Sequence, residues 1–266
     1  MRRAFRVAYD GRPYHGFQRQ PSVPTVEDHL FRALESLGVA DDVPETYSAA
    51  GRTDRGVSAL AQTVAFDCPG WLTPRALAPE LPDRIWPWAH ADVDQGFHAT
   101  RDASERTYEY HLFAPAADAA RASAAADLLS GRHDVANLTA DDEHTVRDVA
   151  VSVVRDGDHL VLTVTAGGFP RAFVRRVASL VGAVAAGAAD LSRVERILDP
   201  EPVPGPQGVR AAPPSPLVLT AVAYDVAFTV DERAAADARA AFGGRAALHA
   251  TDARVAGRIR DGMGAF

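Results

Sequence analysis

The order of extended and helical patterns in the sequence predicts an α+β fold built from two similar halves. Apolar residues alternate with polar ones in short segments bounded by turn residues, which is typical of strands, and recur at helical spacing in others. The resulting order β-α-β-β-α-β occurs twice, and the second copy contains a glycine hairpin signal. We therefore expect two tandem ferredoxin-like halves whose sheets join into one mixed, largely antiparallel sheet with a central cleft.

The first half begins with a strand that stops at the turn beginning with Asp10. Thr25 can cap the next helix, in which Val26 and Leu30 share one face, and Gly38 follows the end of that helix. A loop bounded by glycines separates the next two strands. The predicted strands are residues 5–9, 46–50, 62–66 and 85–93, and the predicted helices are residues 26–37 and 74–81.

In the second half, a strand with alternating aromatic residues precedes an alanine-rich helix closed by Gly131. The predicted strands are residues 107–113, 148–154, 160–165 and 217–226, and the predicted helices are residues 118–129 and 172–184. The proline-rich run at residues 200–216 is interpreted as an ordered excursion, because a strand follows it. These patterns divide the chain into an N-terminal half (1–105), a C-terminal half (106–230) and a helical extension without an assigned role (231–266).

The composition excludes several classes of protein. Cys68 is the single cysteine among 266 residues, so neither a disulfide framework nor a cysteine-based zinc site can form. We expect no signal peptide and no membrane helix, which needs about 18–20 consecutive apolar residues, and therefore a cytoplasmic protein. The net charge is −7, and all 28 basic residues are arginine. This composition fits either a halophilic protein or the codon bias of a GC-rich genome.

The loop of residues 50–57 concentrates charged groups between two predicted strands. It places Asp54 between Arg52 and Arg55 and has a glycine on each side. Glycine allows close approach of a ligand to the backbone. Neighbouring positive charge favours the ionised form of an aspartate, which suits a nucleophile or a base better than a general acid. The same pattern also fits an aspartate that caps a turn beside solvated arginines.

Two other segments carry aromatic and basic side chains at informative spacing. Tyr108 and Tyr110 are predicted on the same face of one strand, and core packing is the better interpretation for Tyr110. Arg171 and Arg175 are predicted one helical turn apart on one face of a helix. Arginines on a helix are usually solvated, so this spacing alone does not establish a binding site.

Together, five stretches resemble the TruA type of tRNA pseudouridine synthases. In the order in which they occur in that family, they are YDGRPYHGFQRQ, AGRTDRGVSALAQTVAF, FHATRDASERTYEY, GRHD and FVRRV. They lie within a match that spans residues 9–226, which is nearly the whole chain. The resemblance implies isomerisation of uridine to pseudouridine at positions 38–40 of the tRNA anticodon stem-loop, in a central catalytic cleft. It also implies a homodimer and no cofactor or metal.

The resemblance also implies roles for individual residues. Asp54 matches the essential catalytic aspartate, and Arg52 matches an arginine that holds the flipped nucleotide. Tyr108 matches the tyrosine that stacks on the target base, and Arg175 matches the arginine that pairs with the aspartate. An acidic protein that binds tRNA must concentrate its arginines in one groove. The candidates are Arg12, Arg19, Arg52, Arg55, Arg171, Arg175 and Arg176, of which Arg55 and Arg171 complete the predicted substrate-binding set.

The sequence departs from the family pattern at five positions. Phe17 stands where a tryptophan is usual, Ser58 where a histidine is common, and Thr100 where an arginine often follows Phe-His-Ala. Ser179 and Pro216 occupy expected glycines. These replacements leave the catalytic group intact but put details of tRNA contact in doubt.

Three other interpretations compete with this one. The target uridine could lie in another RNA or another part of tRNA, or the chain could be a non-catalytic RNA-binding module, although such a module is expected to lack the aspartate. A carboxylate-based hydrolase would need a second carboxylate, for which Asp10 and Asp134 are the candidates. Both are better interpreted as structural. His15, His98 and His133 are too scattered along the sequence to indicate a metal site.

Overall fold

The computed structural model describes residues 1–141, 143–203 and 208–263. The elements of the first half are β1 (Arg2–Tyr9), α1 (Val26–Ser36), β2 (Ser48–Ala49), β3 (Ser58–Asp67), α2 (Pro74–Leu77) and β4 (Ile85–Asp92). Helix α1 begins where predicted because Thr25 and Asp28 form a capping box, in which each side chain accepts a hydrogen bond from the other's backbone N–H.

The second half contains more elements than the first. They are β5 (Glu105–Phe113), α3 (Ala119–Leu129), β6 (Gly131–Asp134), β7 (Val146–Asp156), β8 (His159–Ala166), α4 (Phe173–Ala185), α5 (Leu191–Leu198) and β9 (Leu217–Ala223), followed by β10 (Thr229–Val230) and α6 (Glu232–Gly262). The predicted hairpin between β7 and β8 turns at Gly157, whose φ of +53° is a left-handed conformation that glycine adopts without steric cost.

The described strands form a mixed, largely antiparallel sheet. Their order is β10-β4-β1-β3-β9-β5-β8-β7-β6, and β2 pairs with β3 beside this path. The two halves meet where β3 and β9 run parallel, with Ser58 opposite Val218 and Ala59 opposite Leu219. This junction, which we call the seam, lies in the middle of the sheet. The loop that precedes β3 therefore lies next to the seam.

Each half contributes its own hydrophobic core. Phe5 on β1 and Leu30 on α1 belong to the N-terminal core, whereas Leu162 on β8 and Val181 on α4 belong to the C-terminal core. Tyr110 on β5 is 2% exposed, which confirms its predicted place in the core. Its hydroxyl donates to the carbonyl oxygen of Pro213 at 3.1 Å, so the buried polar atom is satisfied.

Several local predictions are corrected. The strand predicted at residues 46–50 is reduced to β2, and α5, β6 and β10 were not predicted. Helix α3 ends at Leu129 with Ser130 as its C-cap, and Gly131, with a φ of +108°, follows the cap as predicted but also begins β6, where it pairs with Val149. The Pro-rich run ends at β9 as expected, but its residues 204–207 lie outside the described residues.

Helix α6 confirms the predicted helical tail, of which residues 264–266 lie outside the described part. It packs against the rest of the chain through Ala234, Ala235 and Ala238, whereas Val255 and Ile259 in its later turns are exposed. None of the helices in the described residues combines the length and apolar character needed to cross a membrane.

Candidate active site

The loop between β2 and β3 carries Asp54 and is fixed by hydrogen bonds at its start. The backbone N–H of Ala50 donates to the carbonyl oxygen of Thr63 at 2.8 Å. The side-chain amide of Gln62, which is fully buried, donates to the carbonyl oxygen of Gly51 at 2.8 Å. Strand β3 therefore holds the residues that lead into Asp54.

A second segment, residues 11–17, packs against this loop and forms a hydrogen bond to it. A Cβ atom on Gly11 would lie 1.9 Å from the carbonyl oxygen of Val57, so only glycine permits this approach. The N–H of Phe17 donates to the carbonyl oxygen of Thr53 at 3.1 Å. The Thr53 hydroxyl also shares a 2.8 Å hydrogen bond with the buried Tyr9 hydroxyl. Thr53, which precedes Asp54, is thus anchored to the N-terminal half.

The ion-pair partner of Asp54 comes from the other half of the chain. The Arg175 guanidinium, in the first turn of α4, lies 3.1 Å from the Asp54 carboxylate, as the resemblance implies. A hydrogen bond of 2.7 Å to the carbonyl oxygen of Ala212 orients the guanidinium. The Asp54 side chain is 42% exposed and that of Arg175 is 19% exposed, so the pair faces an open cleft. Among the described residues, neither Arg52 nor Arg55 pairs with a carboxylate, and both are exposed.

The structure places Arg171 outside helix α4, so the prediction that it shares a helical face with Arg175 is wrong. Ala172 has a φ of +57° in the left-handed region, and the helix begins only at Phe173. Arg171 instead lies near Asp141: its backbone N–H donates to that carboxylate at 2.8 Å, and its 74% exposed side chain lies 3.7 Å from it.

Tyr108 lies on β5 at the boundary of the two cores. The Tyr108 and Phe169 rings pack edge to face, with their centroids 5.2 Å apart. The Phe169 ring in turn stacks on the Phe173 ring. Burial raises the pKa of the Tyr108 hydroxyl to about 12, although Arg106 partly opposes this shift. The phenol is therefore neutral at physiological pH, and its partly buried ring faces the cleft.

A cleft of about 660 Å³ at the seam brings most of the predicted residues together. The predicted residues that line it are Asp54, Tyr108, Arg52, Arg175 and Arg171. Arg55 does not line this cleft but an adjoining pocket of about 540 Å³, which also contains His15 and shares Arg52, Asp54 and Arg175 with it. Phe169, Glu27 and Arg106, which sequence reasoning did not assign to the site, also line the cleft.

Glu27 is the second carboxylate of the cleft. It accepts hydrogen bonds from the Tyr47 hydroxyl at 2.9 Å and from the backbone N–H of Arg19 at 2.8 Å. Burial raises the pKa of Glu27, and these hydrogen bonds oppose the shift. The sequence signal for Glu27 is its position in the first turn of α1, next to the cap, which the apolar spacing of that helix does not reveal.

The two carboxylates considered for a hydrolase do not line this cleft. Asp10 is 6% exposed and pairs with Arg12 at 2.8 Å and with Arg84. Burial alone would raise its pKa, but hydrogen bonds from Arg12 and the charges of Arg12 and Arg84 lower the pKa of Asp10 to about 2. Asp134 accepts a hydrogen bond from the N–H of Ala136 in a turn after β6.

The three histidines considered for a metal site lie apart. His98 lines the main cleft, His15 lines the adjoining pocket, and His133 contacts the carbonyl oxygen of Ser130 at 2.9 Å. Within the described residues, no group of three or more His, Cys, Asp or Glu side chains is placed to hold a metal ion.

Comparisons with known proteins identify relatives of this chain. A family model described as "tRNA pseudouridine synthase" matches residues 125–225. The chain is 57% identical to tRNA pseudouridine synthase A of Haloarcula marismortui over 98% of this chain and 100% of that relative. It is 56% identical to the protein of the same name from Halobacterium salinarum over 97% of this chain and 98% of that relative.

Similarity to solved structures is weaker. A Cbf5-Nop10-Gar1 complex overlaps 82% of this chain and 58% of the matched chain at 11% identity, with a TM-score of 0.36, which is too low to add to the assignment. The sequence identity over almost the full length is the stronger finding. On that identity, the chain belongs to the tRNA pseudouridine synthase A family.

Proposed function

We propose that this protein converts uridine to pseudouridine at positions 38–40 of the tRNA anticodon stem-loop, with Asp54 as the catalytic carboxylate. The observation that carries the proposal is the ion pair between Asp54 and Arg175, 3.1 Å apart across the seam, in the same cleft as the Tyr108 ring. The family of the chain supports the reaction class, and the family resemblance supports the position in tRNA.

The reaction requires a base to leave the RNA stem and enter a pocket. Base flipping costs a few kcal/mol, and stacking on an aromatic face recovers roughly 1–3 kcal/mol per base. The Tyr108 ring, which packs against Phe169, offers such a face. Arg52 is exposed at the mouth of the cleft and carries no ion pair among the described residues, so we assign it to the flipped nucleotide.

The isomerisation breaks the bond between N1 and C1′ and forms a bond between C5 and C1′. C5 loses a proton and N1 gains one, so the atoms balance without an oxidant or reductant. The Asp54 carboxylate either attacks covalently or stabilises and deprotonates intermediates, and both routes need it ionised. Arg175 supplies the adjacent positive charge, and the Ala212 carbonyl oxygen holds that guanidinium in place.

We propose further that residues 1–105 and 106–230 are two ferredoxin-like halves, that residues 231–266 are an extension, and that the enzyme is a homodimer. The strand order supports the two halves: β4-β1-β3-β2 in the first matches β9-β5-β8-β7 in the second. In each case the first strand lies between the last and the third, as in a ferredoxin-like unit. The homodimer rests on the family resemblance alone.

The test uses unmodified tRNA transcripts that carry uridine at position 38, 39 or 40. Pseudouridine is mapped by carbodiimide treatment and primer extension, and tRNA binding is measured separately. We expect Asp54→Asn to abolish the product while it largely preserves binding, whereas Asp156→Asn, in the distant β7–β8 hairpin, retains activity.

The outcomes separate the parts of the proposal. Robust modification by Asp54→Asn would contradict the catalytic role of that carboxylate. Modification confined to the T-loop would contradict the substrate assignment. Binding without modification by the unaltered protein would favour a non-catalytic RNA-binding module.

A further inference from the structure

The guanidinium of Arg106 has an unusual set of partners. Arg106 lies on β5, two residues before Tyr108, and lines the cleft. Within the described residues it pairs with no carboxylate. Instead, its nitrogens donate five hydrogen bonds to backbone carbonyl oxygens, which belong to Ala50 (2.8 and 3.3 Å), Thr100 (2.7 Å), Ala103 (3.3 Å) and Gly167 (2.6 Å).

These four carbonyl groups belong to the segments that build the cleft. Ala50 opens the loop that carries Asp54, and Gly167 opens the segment that leads through Phe169 into α4. Thr100 and Ala103 lie between β4 and β5, in the connection from the first half to the second. One side chain therefore ties together the backbone on both sides of the seam.

We propose that Arg106 is a positioning residue for the proposed reaction. By holding Ala50 and Gly167 at fixed places, it sets the distance between the loop of Asp54 and the helix of Arg175. It also holds the segment of Phe169, which supports the Tyr108 ring. This inference rests on the proposed function, because the geometry it preserves is that of the proposed catalytic groups.

The chemistry of the guanidinium explains why arginine occupies this position. Its five N–H donors lie in a rigid plane and reach acceptors on several sides at once. A lysine ammonium keeps the positive charge, but its three N–H donors are on one nitrogen atom and cannot reach acceptors that lie on several sides. Arg106→Lys therefore removes the bridge between the two sides without removing the positive charge.

The experiment compares Arg106→Lys with Arg147→Lys as a matched control. Arg147 also donates to backbone carbonyl oxygens, those of Gly168 and Val146, but all of its partners lie in the second half. Single-turnover pseudouridine formation at saturating tRNA reports the chemical step, and filter binding reports affinity. Circular dichroism confirms that each variant is folded at the assay temperature.

We expect Arg106→Lys to slow the single-turnover rate by roughly 10- to 100-fold, because small displacements of reacting groups cost about that much. Its tRNA affinity should stay within about threefold of the original, as for a lost transition-state alignment. Arg147→Lys should keep both values. In Arg106→Ala, added ethylguanidinium should restore part of the rate, and added methylammonium should not.

Other results would overturn the proposal. An unchanged rate in Arg106→Lys would show that the bridge does not affect catalysis. Loss of affinity with an unchanged rate at saturation would assign Arg106 to substrate binding instead. A variant that does not fold would show a purely structural role. If the unaltered protein modifies no tRNA, the proposed function itself is wrong. If the unaltered protein is active and Arg106→Lys keeps its rate, only the positioning role of Arg106 is wrong.

Discussion

The assignment of Asp10 as a structural rather than a catalytic carboxylate can be tested quantitatively. Its folded-state pKa is about 2, against an ordinary value of 3.8, because Arg12 and Arg84 stabilise the ionised form. This lowering of the pKa of Asp10 corresponds to about 2 kcal/mol of unfolding free energy. Since the folded-state pKa is depressed, this contribution is present above about pH 4 and is lost as the pH falls towards 2.

We therefore expect Asp10→Asn to lower the unfolding free energy at pH 7 by about 2 kcal/mol. For a chain of this length the change lowers the midpoint of thermal unfolding by roughly 4–8 °C. Asp42→Asn is the matched control, because Asp42 also pairs with an arginine, Arg19, but both side chains of that pair are exposed, at 71% and 43%. An exposed pair is worth at most about 1 kcal/mol, so the control should shift the midpoint by less than about 4 °C.

Thermal unfolding followed by circular dichroism at pH 7 measures both variants, and repetition at lower pH tests the sign. The difference between Asp10→Asn and the original protein should shrink steadily below pH 4. Equal shifts for both variants would refute the argument from burial. Loss of pseudouridine formation by folded Asp10→Asn would refute the structural role and restore Asp10 as a candidate second catalytic carboxylate.

Three further predictions follow from the site and the composition. Gly11→Ala should lower the midpoint of thermal unfolding by several degrees, because its Cβ would lie 1.9 Å from the Val57 carbonyl oxygen, whereas Gly51→Ala, with no atom within 4 Å, should not. Burial raises the pKa of Glu27, so the folded protein loses stability as the pH rises and this buried carboxyl group ionises. Glu27→Gln should therefore raise the midpoint of thermal unfolding at pH 7, with the gain vanishing near pH 4, and a lower midpoint at pH 7 would contradict this reasoning. If the lysine-free composition reflects adaptation to salt, tRNA modification should persist near molar KCl, and activity that peaks at low salt and collapses there would contradict it.

The fold was largely predictable because most strands alternate cleanly and the helices carry clear caps. Helix α5 was missed although Asp190 caps it and Val194 and Ile197 are buried, because it is short and lies between alanine-rich and proline-rich stretches. Strand β6 was missed because its sequence, from Gly131, has no apolar alternation, and only pairing with β7 makes it a strand. Tertiary contacts decide such elements.

The site was predictable where a motif is local and was not where geometry depends on distant segments. The loop of Asp54 has a distinctive sequence, but the left-handed turn at Ala172 that moves Arg171 off the helix has none. Arg106 and Glu27 escaped notice for a similar reason: their partners are backbone atoms or side chains from other segments, which no spacing along the chain reveals. The resemblance identified the pairing of Asp54 with Arg175, which local patterns did not.

The ion pair at the centre of the site joins residues 121 positions apart, and each half supplies one member already held by its own scaffold. Asp54 follows Thr53, which the buried Tyr9 hydroxyl holds, and Arg175 is held by the carbonyl oxygen of Ala212. Neither half alone contains both charges or both walls of the cleft. The short parallel pairing of β3 with β9 is therefore more than a join between sheets, because it brings the half that carries the carboxylate beside the half that carries its guanidinium partner.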